Sequence, residues 1–286
     1  MRLRNKIIKN GALALVLAFA ITGCEKIVHP ALGTYPKDTN PVGGPVKFYT
    51  AYDGINADSI RAVFANVDSA TTFSTGVSGQ AIQFNPILGA NGGDSVYSFL
   101  AYPNANDFAN STSFTVSFWM KIPLSKKDPN NADGILALSS TTNFWGNMTI
   151  FADHYSTVSD SMQLKFHFAN GSGDNWDFAG YTGVNMWPSM YDDVWHQVVF
   201  VYDAPSKTAT LYRDGVQFDK KTGEGILFDG NAASLVVGGF QEAVGIVSDY
   251  PSNGWMSGFP GEIDQVQLIG EAYSAAQVAS SYANKN

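Results

Sequence analysis

The chain has 286 residues, with 28 Gly, 12 Pro, a single Cys and 25 acidic against 17 basic residues, a formal net charge of −8. Four of the bases (Arg2, Arg4, Lys6 and Lys9) fall in the first ten positions, so the remainder sets 13 basic residues (17 less four) against 25 acidic ones. That balance excludes nucleic acid as a partner, because phosphate binding needs a basic surface, and one cysteine excludes an internal disulfide.

Residues 1–10 are basic and residues 11–21 apolar, and Ile21-Thr22-Gly23-Cys24 closes the run with small residues. This is the pattern of a secretory signal, with an apolar stretch too short to span a bilayer as a helix. The four-residue ending resembles a bacterial lipobox. Residues 1–23 are therefore expected to be a lipoprotein signal peptide, and Cys24 the lipidated residue. The resulting membrane anchor implies the cell envelope, an outer membrane foremost, with either face of it open. Residues 24–45 contain Pro30, Pro36, Pro41 and Pro45 among Gly, Thr and Asn, the composition of a tether. Residues 46–286 are expected to form one domain.

Residues 46–52 are β-rich and run into the turn signal Asp53-Gly54. Residues 58–79 are polar without a helical period, which suggests a long surface excursion. Residues 80–84 and 95–102 then read as the second and third strands. Residues 113–122 alternate cleanly: Phe114, Val116, Phe118, Met120 and Ile122 share one face, and Ser113, Thr115, Ser117, Trp119 and Lys121 the other. The first face is core; the second suits either a wet concave surface or packing beneath a loop. Short strands continue at 134–139, 148–152 and 162–169. Residues 194–203 are apolar on both faces, as a strand covered on both sides should be. Asp214-Gly215 between 209–213 and 216–218 is a two-residue hairpin signal, and 234–240 is a further strand. Ser274-Ala275-Ala276-Gln277 forms a capping box that predicts a short helix over 275–282. No strand–helix alternation suggests a parallel sheet, so the pattern is all-β.

Four segments in order, 113–119, 195–202, 211–215 and 261–268 with 273–278, resemble the signature segments of laminin-G-like, concanavalin A-like lectin/glucanase domains. The resemblance covers about residues 46–284. It implies an antiparallel jelly-roll β-sandwich, and its bacterial lipoprotein members often serve glycan-utilisation systems. The superfamily holds binders, hydrolases and structural modules, so function has to be argued from the site.

Hydrolases of this type carry Glu-Ile-Asp followed two or three residues on by a second Glu, which pairs with the first as nucleophile and acid/base. Here Glu262-Ile263-Asp264 is followed by Val266 and Gln267, so Glu262 lacks its partner on the same strand. No catalytic residue is assigned, and glycoside hydrolysis stays as the alternative reading. His29, His154, His167 and His196 show no metal-ligand spacing. His196 is expected to be a packed, hydrogen-bonded histidine, and Asp192-Asp193 a solvated turn. Asp264 falls in phase with Val266 and Leu268, on the expected core side, where a carboxylate needs a cation or several N–H donors. Similar sandwiches often hold an ion where first and last strands meet. Calcium with Asp264 and Asp53 as ligands is one expectation, and backbone amides alone the other.

Sugar binding needs exposed aromatic faces with amides and carboxylates beside them. Trp145, Trp176, Trp187 and Trp255 lie in loop-like sequence, each with Asn or Asp within two residues. The candidate carbohydrate site is Trp176, Trp187, Trp255 and Trp145 with Asn175, Asp177 and Tyr191, although each ring could equally plug an end of the sandwich. The expected function is non-catalytic polysaccharide capture. The structural alternative is an adhesion module that binds another envelope protein, in which these rings would be buried or scattered.

Overall fold

A computed structural model describes residues 43–88, 94–153, 159–170, 175–179, 186–223, 225–246 and 254–285. The expected signal peptide, Cys24 and nearly all of the tether lie outside the described residues. Residues 40–286 form one compact unit. In chain order the strands are β1 (Val46–Thr50), β2 (Ala57–Asp58), β3 (Val63–Phe64), β4 (Val67–Ser69), β5 (Thr71–Thr75), β6 (Gln80–Phe84), β7 (Ile87–Leu88), β8 (Asp94–Val96), β9 (Phe99–Tyr102) and β10 (Phe114–Lys121). There follow β11 (Ala132–Ser140), β12 (Met148–Asp153), β13 (Gln163–Ala169), β14 (Asn175–Ala179), β15 (His196–Asp203), β16 (Thr208–Arg213), β17 (Val216–Thr222), β18 (Ala232–Val237), β19 (Met256–Gly258), β20 (Glu262–Ile269) and the helix α1 (Ala275–Asn284).

Two sheets result. The first runs β17-β16-β15-β10-β20-β6-β5, with β1 also on β20; the second runs β14-β13-β12-β11-β18-β9-β4, with β19 on β11. All pairings in the first sheet are antiparallel. Phe114, Val116, Phe118 and Met120 of β10 enter the core between the sheets together with Ile150, Phe166, Phe168, Val198 and Phe200, as the alternation of residues 113–122 requires.

The outward residues of the same strands explain why 194–203 is apolar on both faces. Val199 and Val201 pack with Tyr212 and with Val278 of α1, so the helix covers the outer side of the first sheet. The capping box forms as expected: Gln277 N donates to Ser274 Oγ at 3.3 Å and Ser274 N to Gln277 Oε1 at 2.9 Å. The Asp214-Gly215 turn has both residues at positive φ, 51° and 76°, the geometry that matches the twist of a hairpin.

Two expectations change. Residues 58–79 are not one irregular excursion; they carry β2 to β5, with β4 on the edge of the second sheet and β5 on the edge of the first. These strands are short and mostly exposed, so they lack the inside–outside alternation by which a strand is recognised in sequence. Trp187 and Tyr191, expected in a sugar site, are buried, at 0% and 3% exposure. Trp187 bridges Met162 through the backbone, N donating to O in both directions at 2.8 and 2.9 Å, and its ring stacks on Phe218 at 4.4 Å. Both rings belong to the main core and present no face to a ligand.

Because Trp187 is wholly core, Trp187→Ala is expected to cost about 3–5 kcal/mol of unfolding free energy, measured by urea denaturation. A loss typical of a surface residue would contradict this placement.

Candidate functional site

The residues that come together lie on the outer face of the second sheet. Phe151 of β12 and His167 of β13 point away from the core, being flanked by the core residues Ile150, Phe166 and Phe168. Trp145, on the turn between β11 and β12, lies almost parallel over both: 4.3 Å and 12° from His167, 5.4 Å and 10° from Phe151. Trp255, on the turn before β19, is tilted at 53° with its ring 5.9 Å from Trp145. Phe144 meets Trp145 edge-on at 4.9 Å, and Phe240 closes the cluster beneath Trp255 and Phe151. Phe144, Trp145 and Trp255 are only partly buried.

The turn that carries Trp145 is held from below. Gln241, 2% exposed, donates through Nε2 to the carbonyls of Asn143 and Phe144 at 2.8 and 2.7 Å and accepts from Ser140 N at 3.0 Å. Asn143 Oδ1 accepts from Trp145 N at 3.1 Å, and Gly146 sits at φ +72° where a Cβ would be 2.7 Å from the Leu138 carbonyl. Asp229 fixes the other side, accepting from Asn147 Nδ2 at 2.9 Å and from the hydroxyls of Ser140 and Thr142. A ring mounted on so many satisfied bonds is pre-organised, which lowers the ordering cost of binding.

Polar groups stand beside the rings. Lys165 and Asp153 pair at 2.6 Å, with the Lys165 ammonium 5.8 Å from the Phe151 ring. Burial, with the Lys165 charge adding to it, pushes the His167 imidazole down to about 4, so at neutral pH it is an uncharged stacking partner. Of the residues singled out in sequence, Trp145 and Trp255 are thus brought together. Trp187 and Tyr191 are not, Tyr191 lying under the Lys127 ammonium at 5.0 Å within the core. Asn175, Trp176 and Asp177 belong to strand β14 and not to a loop, in register with Ala169, Phe168 and His167; their side chains lie outside the described residues. Phe151, His167 and Gln241 were missed. The available signal was an aromatic ring at the outward phase of a strand.

Asp264 is buried as expected, but on the other side. In β20 the pairing with β10 slips between Ser117 and Trp119, so that Phe118 faces two residues, Gln265 and Val266. Gln265 takes φ 49°, and this bulge lets Ile263, Val266 and Leu268 all point to the core. Asp264 therefore pairs with the outward Trp119 and is covered by the turn at residues 76–79. Its Oδ2 accepts from Val77 N at 2.8 Å and Ser78 N at 3.5 Å; Oδ1 is buried with no hydrogen-bond partner among the described residues. Asp53 grips the same turn, Oδ1 accepting from Gln80 N at 2.7 Å, and a Cβ at Gly79 (φ +65°) would fall 1.9 Å from that oxygen. Burial pushes the Asp264 carboxyl up to about 7; the amides oppose this and the Asp53 charge adds to it. The orphaned Oδ1 beside a second carboxylate fits a hard cation such as calcium. Among the described residues no third His, Cys, Asp or Glu joins them, so further ligands would have to be carbonyl or water oxygens.

Glu262 is ion-paired to Lys121 at 2.7 Å. His196 is packed and hydrogen-bonded as expected, but Asp192 is not simply solvated: His196 Nδ1 lies 2.9 Å from Asp214 and Nε2 3.2 Å from Asp192. Burial disfavours the charged imidazole, yet Asp214 and then Asp192 more than offset it, and the His196 pKa is raised.

Residues 90–279 match the family model Laminin_G_3, described as the concanavalin A-like lectin/glucanases superfamily. No curated protein matches the sequence. Among solved structures, domain 4 of AbnA, a GH43 extracellular arabinanase from Geobacillus stearothermophilus in complex with arabinotriose, is similar with a TM-score of 0.53 at 17% identity, over 82% of this chain and 97% of that domain. The binding domain of Paraclostridial Mosquitocidal Protein 1 is similar with a TM-score of 0.56 at 13% identity, over 84% of this chain and 52% of that one. The botulinum neurotoxin type G receptor binding domain gives 0.57 at 12%, over 84% and 51%. This chain thus spans about half the length of the toxin domains. At these identities the likeness establishes the fold.

Both buried titrating groups set a pH dependence. Folded Asp264 keeps its proton to about 7 whereas the unfolded carboxyl loses it near 3.8, so in chelator-treated buffer stability is expected to fall between these values and level off above. The raised His196 contributes stability below about 6.5 that is lost as pH rises through its folded pKa. Melting curves across this range should show Asp264→Asn flattening the acidic part of the slope and His196→Gln the part above it; unaltered slopes would refute the assignments.

Proposed function

The chain belongs to the concanavalin A-like lectin/glucanases superfamily, and from that membership we propose that it is a non-catalytic, glycan-binding envelope lipoprotein. The observation that carries this reading is the Trp145 platform. One face of the indole is spent on His167 and Phe151, and Trp255 stands beside it at an angle, so the pair forms an aromatic corner on the outside of the sandwich. A pyranose or furanose ring can stack its C–H face on such a corner while its hydroxyls reach the Asp153–Lys165 pair. Arabinotriose in the complex of the similar arabinanase domain supports an oligosaccharide as the ligand class.

Binding without hydrolysis is supported by Glu262, whose carboxylate is engaged by Lys121, and by Val266 and Gln267 at the positions where a second glutamate would stand. For a retaining mechanism two carboxyl groups must face one bond. Asp264 is turned under the 76–79 turn and supplies no such partner. In the same reading Asp264 and Asp53 hold a structural calcium. Cys24 carries the lipid that fixes the protein to the envelope, in the outer membrane, for delivery of polysaccharide to an uptake system.

Affinity electrophoresis against a panel of polysaccharides that includes arabinan is expected to retard the native protein, and Trp145→Ala and Trp255→Ala are each expected to weaken binding by about 1–3 kcal/mol. Native mobility unchanged on every glycan would sink the reading. Calcium is expected to raise the melting temperature of the native protein but not of Asp264→Asn. Cys24→Ala should move the protein from the membrane to the soluble fraction.

A further inference from the structure

A second aromatic groove lies on the outer face of the first sheet, across the sandwich from Trp145. The alternation that sends Phe118 and Met120 inward sends Trp119 and Lys121 outward, and Trp195 enters just before β15. Tyr282 near the end of α1 forms the opposite wall, and the space between them measures about 600 Å³. Trp119 is its floor. The ring is 3% exposed and stacks on Tyr282 at 5.4 Å and 18°.

Trp119 Nε1 is buried with no hydrogen-bond partner among the described residues, and an unsatisfied buried N–H is costly to leave unpaired. Lys121 lies over the Trp195 ring at 5.3 Å and pairs with Glu262 at 2.7 Å; the other charged residues of the lining are Asp193 and Lys285, and among the described residues Lys285 makes no ion pair. One lysine without an ion-pair partner among the described residues and an orphaned donor beside indole rings, in a chain of net charge −8, suit a ligand with an apolar face and a negatively charged acceptor. A neutral sugar would meet the rings but leave Lys285 unused.

We propose that this groove is a second glycan site, selective for a sugar residue bearing a carboxylate, that is, a uronic acid. The ring face stacks on Trp195, and the carboxylate accepts from Trp119 Nε1 and from the Lys285 ammonium. The site shares no residue with the Trp145 platform. Its ligand differs from the platform's by charge, and two sites on opposite faces hold separate chain segments, so the protein cross-links glycans instead of gripping one segment twice.

The test is affinity electrophoresis and calorimetry of the native protein with polygalacturonate and alginate, and with neutral arabinan as the contrasting probe. Binding to at least one acidic polymer is expected, weakening as salt rises. Trp119→Phe keeps the stacked ring but removes the N–H, and it should weaken that binding about tenfold or more, as should Lys285→Ala. Trp145→Ala should leave it unchanged. Circular dichroism and melting temperature establish that each variant is folded; should Trp119→Phe be unstable, Lys285→Ala and Trp195→Ala carry the test. The proposal is overturned if neither acidic polymer binds at low salt, if binding survives Trp119→Phe and Lys285→Ala together, or if Trp145→Ala abolishes it. Loss of arabinan binding alone in Trp145→Ala would leave this groove standing and locate neutral glycan on the platform.

Discussion

The extra residue in β20 is the constraint on which much of the rest depends. With Gln265 in the left-handed region, Phe118 faces two residues of the neighbouring strand, and the phase of β20 reverses at that point. Without the bulge, Ile263 and Val266 could not both reach the core, because odd and even positions of a regular strand face opposite sides. With it, all the apolar side chains of the strand are buried and Asp264 is left on the outer face. A bare carboxylate there would be costly to bury. The turn at 76–79 answers this by aiming two amides at one of its oxygens, while Asp53 holds the same turn from its other end.

That arrangement also shapes the surface. Gly76 and Val77, brought in by Asp264, form one side of the groove over Trp119, and the end of α1 forms the other. The outer face of the first sheet is thus partly roofed by helix, with Val278 on Val199 and Val201, and two tryptophans and two lysines line the groove beside it. The outer face of the second sheet carries no α-helix among the described residues; the single 3-10 turn Gln241–Val244 packs there on Phe99, Ala101, Ala137 and Val236. Its aromatic residues are covered by the Trp145 turn, anchored by Gln241. The same sandwich core therefore presents two chemically different faces: a neutral aromatic corner beside an ion pair, and a groove rich in donors.

Much of the fold was legible from residue pattern. The alternation of 113–122, the doubly apolar 194–203, the Asp214-Gly215 hairpin and the Ser274–Gln277 box each reappear in the structure, because each is a local signal with a local cause. The strands within 58–79 were not legible, since edge strands with exposed faces need no apolar alternation. The placement of the tryptophans was legible in part. Asn and Asp beside a tryptophan mark a turn or a connecting segment, and Trp145 and Trp255 do lie in turns. The same context surrounds Trp187, whose ring folds back onto Phe218 and Phe166.

Residue identity and short-range pattern carry the class of fold, the absence of an internal disulfide, the main strands of the core and the missing second glutamate after Asp264. All of these rest on residue identity and on periods of two or four positions. Tertiary structure alone decided which tryptophans face outward, that Asp264 leaves the core, and that Trp119, Trp195 and Lys285, far apart in the chain, line one groove. The physical reason is the same in each case. A bulge adds a residue without changing composition, and a ring is buried or exposed by partners that lie on other strands.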